Sequence, residues 1–262
     1  MDWRARQVLD RHRRRQVTIG VHVDSLIRRQ WATLDIADID VARERVMASV
    51  TQRVSTLRAI SAQEADLFIR RMRELETGSP SGYLERADTA LSSKALRDLE
   101  GAGPIGFKER ISKGMPDEIA FLAARDQMMA EARKIIMEAG RSTIQLSAEG
   151  NTRSLGWRRV SDGNPCTFCA MLVGRGPVYS SEETAGGVIE GHYHKKCGCT
   201  AVEVFSTWEP TEREQIYVDD YFAAAEAADA ANQPRTWQNI LPNMRENGRF
   251  RDSPATRNKP KL

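Results

Sequence analysis

The chain is expected to adopt an α+β fold that is mainly α-helical. Helices come first, then a compact segment of short strands and turns, then a closing helix with a basic tail. Three observations lead there. Only 6% of the 262 residues are aromatic while 29% are charged, which suits helical, solvent-rich architecture better than a dense sandwich. Long stretches carry apolar residues at helical spacing. The short runs that read as strands lie around one segment, 162–199, which holds all four cysteines.

In order, residues 3–31 read as helical, with Val8, Leu9, Ile19, Val23 and Leu26 among Arg and Asp. The β-branched run VTIGVHV with Gly20 predicts a bend or two helices there. The DIADID segment, Asp35 to Asp40, offers an N-cap and negative first-turn charge to the next helix, Val41 to Leu57. Ser61 and Glu64 form a capping-box pattern that would open a third helix to about Glu76. Gly78 to Tyr83 is a breaker, Asp88 to Leu99 a short helix, and Gly101 to Phe107 a loop or hinge. The longest helix starts at Met115-Pro116-Asp117 and runs to about Ser147 on an apolar stripe that includes Leu122, Met128, Ile135 and Ile136.

A strand is expected from Gly156 to Ser161, leading into the first cysteine pair, with the Trp157 indole packed behind the cysteine segment. Ala170 to Val173 reads as a short helix or turn and Gly176 to Tyr179 as a short strand. Residues 200–205, TAVEVF, alternate as a strand, and Glu212 to Ala231 form a helix. Little fixed structure is expected beyond about residue 247.

The segment 162–199 carries the chemistry. Its pattern is C-x2-C, 27 intervening residues, then H-x2-C-x-C. Soft thiolates and an imidazole on two short knuckles are what a tetrahedral zinc site needs. A C-x2-C turn can aim Cys166 and Cys169 at one ion, and Cys197 and Cys199, two apart, share a face if extended. Gly198 between them lets backbone approach closely. The expected ligands of a structural Zn2+ are Cys166, Cys169, Cys199 and either Cys197 or His194.

Other readings fit less well. Disulfides suit cysteines spread through a small secreted domain, whereas these cluster in a long chain. A redox C-x-x-C pair would leave the C-x-C pair idle. Pro165-Cys166-x-x-Cys169 matches half of the zinc deaminase signature, but the required upstream H-x-E is missing. A nuclease would want a catalytic His beside a carboxylate, and His192 with Glu190 is the only local pair. A DNA-reading zinc module would want a basic helix after the knuckles. That helix carries Glu212, Glu214, Asp219 and Asp220, the wrong sign for phosphate. No enzymatic activity is expected.

Trp157-Arg158-Arg159-Val160, Asp162, Cys166-x-x-Cys169, Arg175 to Tyr179, and Tyr193-His194-x-x-Cys197-x-Cys199-Thr200-Ala201 followed by an apolar strand resemble the Mu F-type minor head proteins of tailed phages. The likeness is strongest to the form common in phages of actinobacteria. It spans about a third of the chain, from near Arg141 to Phe205. The resemblance implies a virion protein inside the head near the portal, with the portal protein or the capsid shell as partner. It also implies a role in head morphogenesis and in packaging or ejection of DNA. Assembly would take place in the host cytoplasm, where the thiols stay reduced.

The expected organisation is an N-terminal helical region at 1–110, the long helix with the Cys/His knuckles at 111–232, and a basic, flexible tail at 233–262. No run of about 18 apolar residues exists, so no membrane span is expected. The first residues, DWRARQVLDRHRRR, have no apolar signal core. Residues 1–30 carry eight Arg against three Asp, and 234–262 seven basic against two acidic residues. With a net charge of +3 for the whole chain and +5 on each end, the middle holds −7. Basic ends point to an acidic partner, either DNA phosphates or an acidic protein patch.

Overall fold

The computed structural model describes residues 1–36, 39–177, 197–246 and 250. The fold is α+β and mainly helical. The order is α1 (Trp3–Ala32), α2 (Ile39–Thr77), α3 (Ser93–Ala102), α4 (Pro104–Ser112), α5 (Asp117–Glu149), β1 (Trp157–Val160), α6 (Thr167–Gly174), β2 (Thr200–Glu203), α7 (Glu212–Ala230) and α8 (Trp237–Glu246). None of the helices is long and apolar enough to cross a membrane, among the described residues.

Three long helices, α1, α2 and α5, pack on one another. Each spans roughly 45–60 Å at 1.5 Å per residue, and each contributes to two apolar clusters. One cluster joins Val23, Ile27 and Trp31 of α1, Val50 and Val54 of α2 and Met128 and Ile135 of α5, closed by Leu99 and Phe107. The other joins Leu9, Phe68, Ile69 and Ile144 to Trp157, Met171, Leu172, Val202, Tyr217 and Ile240. The small two-stranded sheet and the short helices after it are therefore built onto the same rods that form the helical front.

The structure corrects several local expectations. Residues 3–32 make one helix without a break, because Ile19, Gly20 and Val23 are buried and Gly20 lies against Arg133 and Met137 of α5. The pattern at Ser61 and Glu64 starts no helix, since α2 runs through it. Ser61 is fully buried, and its Oγ donates to Gln16 Oε1 (2.6 Å) and accepts from the Gly140 amide (3.2 Å). Glu64 pairs with Arg15 at 2.9 Å. Both side chains are thus taken up by neighbouring helices. The segment expected as a hinge contains the start of α4, with Pro104 in its first turn, where a missing N–H costs nothing. The short helix before it begins later than expected, at Ser93, capped by Ser92. Within the stretch assigned to the tail, Trp237–Glu246 form α8 and bury Ile240, Leu241 and Met244 against α6 and α7. The expected strand at Gly176–Tyr179 lies largely outside the described residues, as does the chain beyond residue 250.

The α1–α2–α5 crossing depends on Gly140. A Cβ there would stand 2.7 Å from Gln16 Nε2 and 2.8 Å from Ser61 Oγ. Gly140→Ala is therefore expected to destabilise the fold by about 1–3 kcal/mol through overpacking. Gly101→Ala, on α3 with open space around it, should leave stability unchanged or raise it by about 0.5–1 kcal/mol. Denaturant titration of both variants checks the contrast.

Candidate metal centre

β1 and β2 pair antiparallel, with Trp157 opposite Glu203, Arg159 opposite Ala201 and Val160 opposite Thr200. Alternation puts Trp157, Arg159, Ala201 and Glu203 on one face. That face is occupied at both ends. At the Glu203 end, Arg73 of α2 donates to both carboxylate oxygens (2.7 and 3.0 Å), and Asn151 donates a third bond at 2.7 Å. Arg73 and Glu203 are 0% and 3% exposed at their side chains. All four residues of β2 are buried. Trp157 is buried, but in the core cluster at the Glu203 end of the sheet and not behind the cysteines, because the register sets it three residues from the knuckle end.

The other end of the sheet runs into the cysteines. Cys166 occupies the N-cap position of α6 and Cys169 its first turn, where unpaired helix N–H groups favour negative sulfur. Cys197 and Cys199 lead directly into β2. The two knuckles meet: all four cysteines form one buried cluster, edged by Phe168, and all four are free thiols. The Sγ atoms of Cys169 and Cys197 are 3.5 Å apart. Those of Cys169, Cys197 and Cys199 all lie within 4.8 Å of one another, and the Cys166 thiol joins the cluster through Cys169. Sulfurs at about 2.3 Å around a tetrahedral zinc stand about 3.8 Å apart, so the donors fit a metal ion. His194, and the His192 and Glu190 pair, lie outside the described residues.

The cluster has an electrostatic setting that the sequence did not reveal. Hydrogen bonds from the Cys169 and Cys199 thiols hold Cys197 well below its ordinary pKa, and the charges of Arg141 and Arg159 act in the same direction. Cys169 is pushed up through its bonds to Cys166, Cys197 and Cys199. Arg141 of α5 donates to the Cys197 carbonyl at 2.5 Å. Arg13 of α1 donates to the carbonyls of Val160 (2.9 Å) and Ser161 (2.6 Å), which lead into the first knuckle. Gly198 is required as anticipated, because a side chain there would overlap the Asp162 carboxylate.

Beside the cysteines lies a cavity of about 100 Å3 lined by His12, Arg13, Gln16, Arg141, Asp162 and Cys199. His12 is 5% exposed and stacks on Phe68 with ring centroids 4.3 Å apart. Burial, with Arg13, Arg141 and Arg15 nearby, lowers its pKa to about 3. The folded state therefore holds His12 neutral while the unfolded chain takes up a proton below about 6.5. Stability is full above 6.5 and is lost as pH falls toward 3. Between pH 6.5 and 5 the loss should be about 2 kcal/mol. His12→Gln should show a shallower dependence over that window in paired thermal melts.

A family model described as "VG15 protein" matches residues 4–228, which takes in α1 to α6, both strands and nearly all of α7. No curated protein and no solved structure matches the chain.

Proposed function

The chain belongs to the VG15 protein family, a family of viral proteins, and on that premise we propose that it is a structural minor head protein of a tailed phage. It sits inside the head near the portal, contacts the portal protein or the shell, and assists assembly, packaging or ejection of DNA. The observation that carries this reading is the meeting of the two knuckles in one buried cysteine cluster within the family-matched region, on the residues that resemble the Mu F-type proteins. The cluster holds a structural Zn2+. Its donors are sulfur, and the cysteines are 2–8% exposed. That is a closed site, unlike a catalytic zinc, which keeps one position open to water. The protein is accordingly non-enzymatic, and the metal supplies folding free energy to a sheet of two four-residue strands. Mass spectrometry of purified phage particles should find the protein at a low, fixed ratio to the portal protein. Its absence from particles would overturn the reading.

The positive charge of the N-terminus is carried on α1, whose Arg4, Arg11, Arg14, Arg28 and Arg29 are exposed. Arg13 is turned inward to β1 and Arg15 is paired with Glu64, so neither is a clean probe of a partner. If α1 meets DNA, the contact is with phosphate and does not read sequence. Replacing Arg4, Arg11 and Arg14 by Ala should then weaken duplex binding uniformly across sequences. The log–log salt slope should fall by about one for each phosphate that is no longer neutralised. Gel shifts over a salt series test this, and no duplex binding at about 50 mM salt would assign these arginines to a protein partner instead.

A further inference from the structure

We propose that the outward face of α1 docks on the outward face of α7 in a second copy of this chain. α1 buries Leu9 and α7 buries Tyr217 in one apolar cluster, so the opposite sides of both helices look away from it. Neither face can therefore cover the other within one chain.

The two outward faces are opposite in charge and alike in apolar content. On α1, Arg4, Arg11, Arg14 and Arg28 are exposed, and Trp3 and Val21 are exposed among them. The acids of that helix are engaged elsewhere, Asp10 by Arg13 and Asp24 by Arg133. On α7, Glu212, Asp219 and Glu226 are exposed, and Ile216 and Phe222 are exposed among them. The basic residue of α7, Arg213, is turned to the Gly163 carbonyl.

Spacing matches as well as sign. Glu212, Asp219 and Glu226 follow one another at seven residues, as do Arg4 and Arg11, and Arg14, Val21 and Arg28. Seven residues make nearly two helical turns, so each set stays on one side of its helix. Members of a set stand about 10.5 Å apart at 1.5 Å per residue. Helices with the same charge period can pair at several points at once, while Trp3, Val21, Ile216 and Phe222 lose water between the charged rows. Opposite charges fix partner and register, and like charges keep α1 from meeting α1 and α7 from meeting α7. The contact joins unlike patches, so copies associate head to tail. One helix pair is small for an obligate interface, and the association should be reversible. Duplex DNA is the other candidate for α1, but it leaves the acidic, partly apolar face of α7 without a role.

Sedimentation velocity of the full chain over a concentration series tests the proposal. At about 50 mM salt the chain should self-associate, and the association should weaken as salt shortens the screening length. The triple variant Glu212→Lys, Asp219→Lys, Glu226→Lys should associate at least about 100-fold more weakly, because like charges then face each other. The triple variant Arg4→Glu, Arg11→Glu, Arg14→Glu should do the same. All six positions are exposed, and circular dichroism verifies that both variants are folded. An equimolar mixture of the two should associate again, since every junction between α1 and α7 is once more between opposite charges. A wild type that stays monomeric at about 50 mM salt, or a mixture that stays monomeric, would overturn the proposal. So would association that persists in the α1 variant but is lost on removal of residues 251–262, which would place the basic tail on α7. Loss of duplex binding by the α1 variant with unchanged association would give those arginines to phosphate and would overturn it as well.

Discussion

Cys169→Ser should abolish stoichiometric zinc binding and lower the thermal midpoint of the chain by roughly 8–16 °C. Cys169 is the hub of the cluster: it touches Cys166 and Cys197 and lies within 4.8 Å of Cys199. Loss of a ligand present at a thousand times its dissociation constant costs about 4 kcal/mol, and each kcal/mol moves the midpoint of a chain this size by about 2–4 °C. The damage should reach beyond the knuckles, because Arg141 of α5 and Arg13 of α1 hold the carbonyls of Cys197, Val160 and Ser161. Elemental analysis with scanning calorimetry provides both readouts, and a chelator should reproduce the shift in the wild type. Unchanged zinc content and midpoint in Cys169→Ser would sink the claim.

Glu203→Gln should cost about 3–5 kcal/mol, the usual penalty for breaking a buried ion pair from one side. The guanidinium of Arg73 would keep its bonds to the Tyr83 and Ser147 carbonyls but lose the only charge that the described contacts set against it. The double variant Arg73→Met, Glu203→Met removes both charges and should be markedly less destabilised than either single change. Denaturant midpoints of the wild type, Arg73→Met, Glu203→Met and the double variant form a double-mutant cycle. If the double variant were as unstable as the sum of the singles, the pair would contribute by shape rather than by charge.

Much of this was legible in the sequence because it lies in local spacing. The C-x2-C at a helix start, the C-x-C entering a strand, the need for Gly198 and the long helix from Asp117 each follow from residues within a few positions of one another. What was hidden depends on residues far apart. Ser61 and Glu64 match a helix start by type, and only the arrival of Gln16, Gly140 and Arg15 shows why the helix continues. The VTIGVHV run keeps its helix because α5 covers Gly20. Residues 237–246 fell in the stretch expected to be a flexible tail, yet Ile240, Leu241 and Met244 are buried there and form a helix across Pro242. Arg159 in a strand reads as an exposed charge until the register sets it against Ala201. In the same way His12 is one polar residue among arginines until Phe68 stacks on it.

The clamp of Arg13 on the first knuckle also has a temporal side. Arg13 is separated by 147 residues from Val160 and by 187 from Thr200, to which its Nε donates at 3.4 Å. Ribosomes add about 5–20 residues each second, so the first helix to emerge waits roughly 10–40 s before its inward arginine has anything to hold. Through that interval Leu9 has Phe68 and Ile69 within reach but still lacks Trp157, Met171 and Val202, which complete its cluster. The seven other arginines among the first 30 residues then act as a solubilising coat for a nascent helix, in keeping with the tendency of like charges to keep unfinished chains apart.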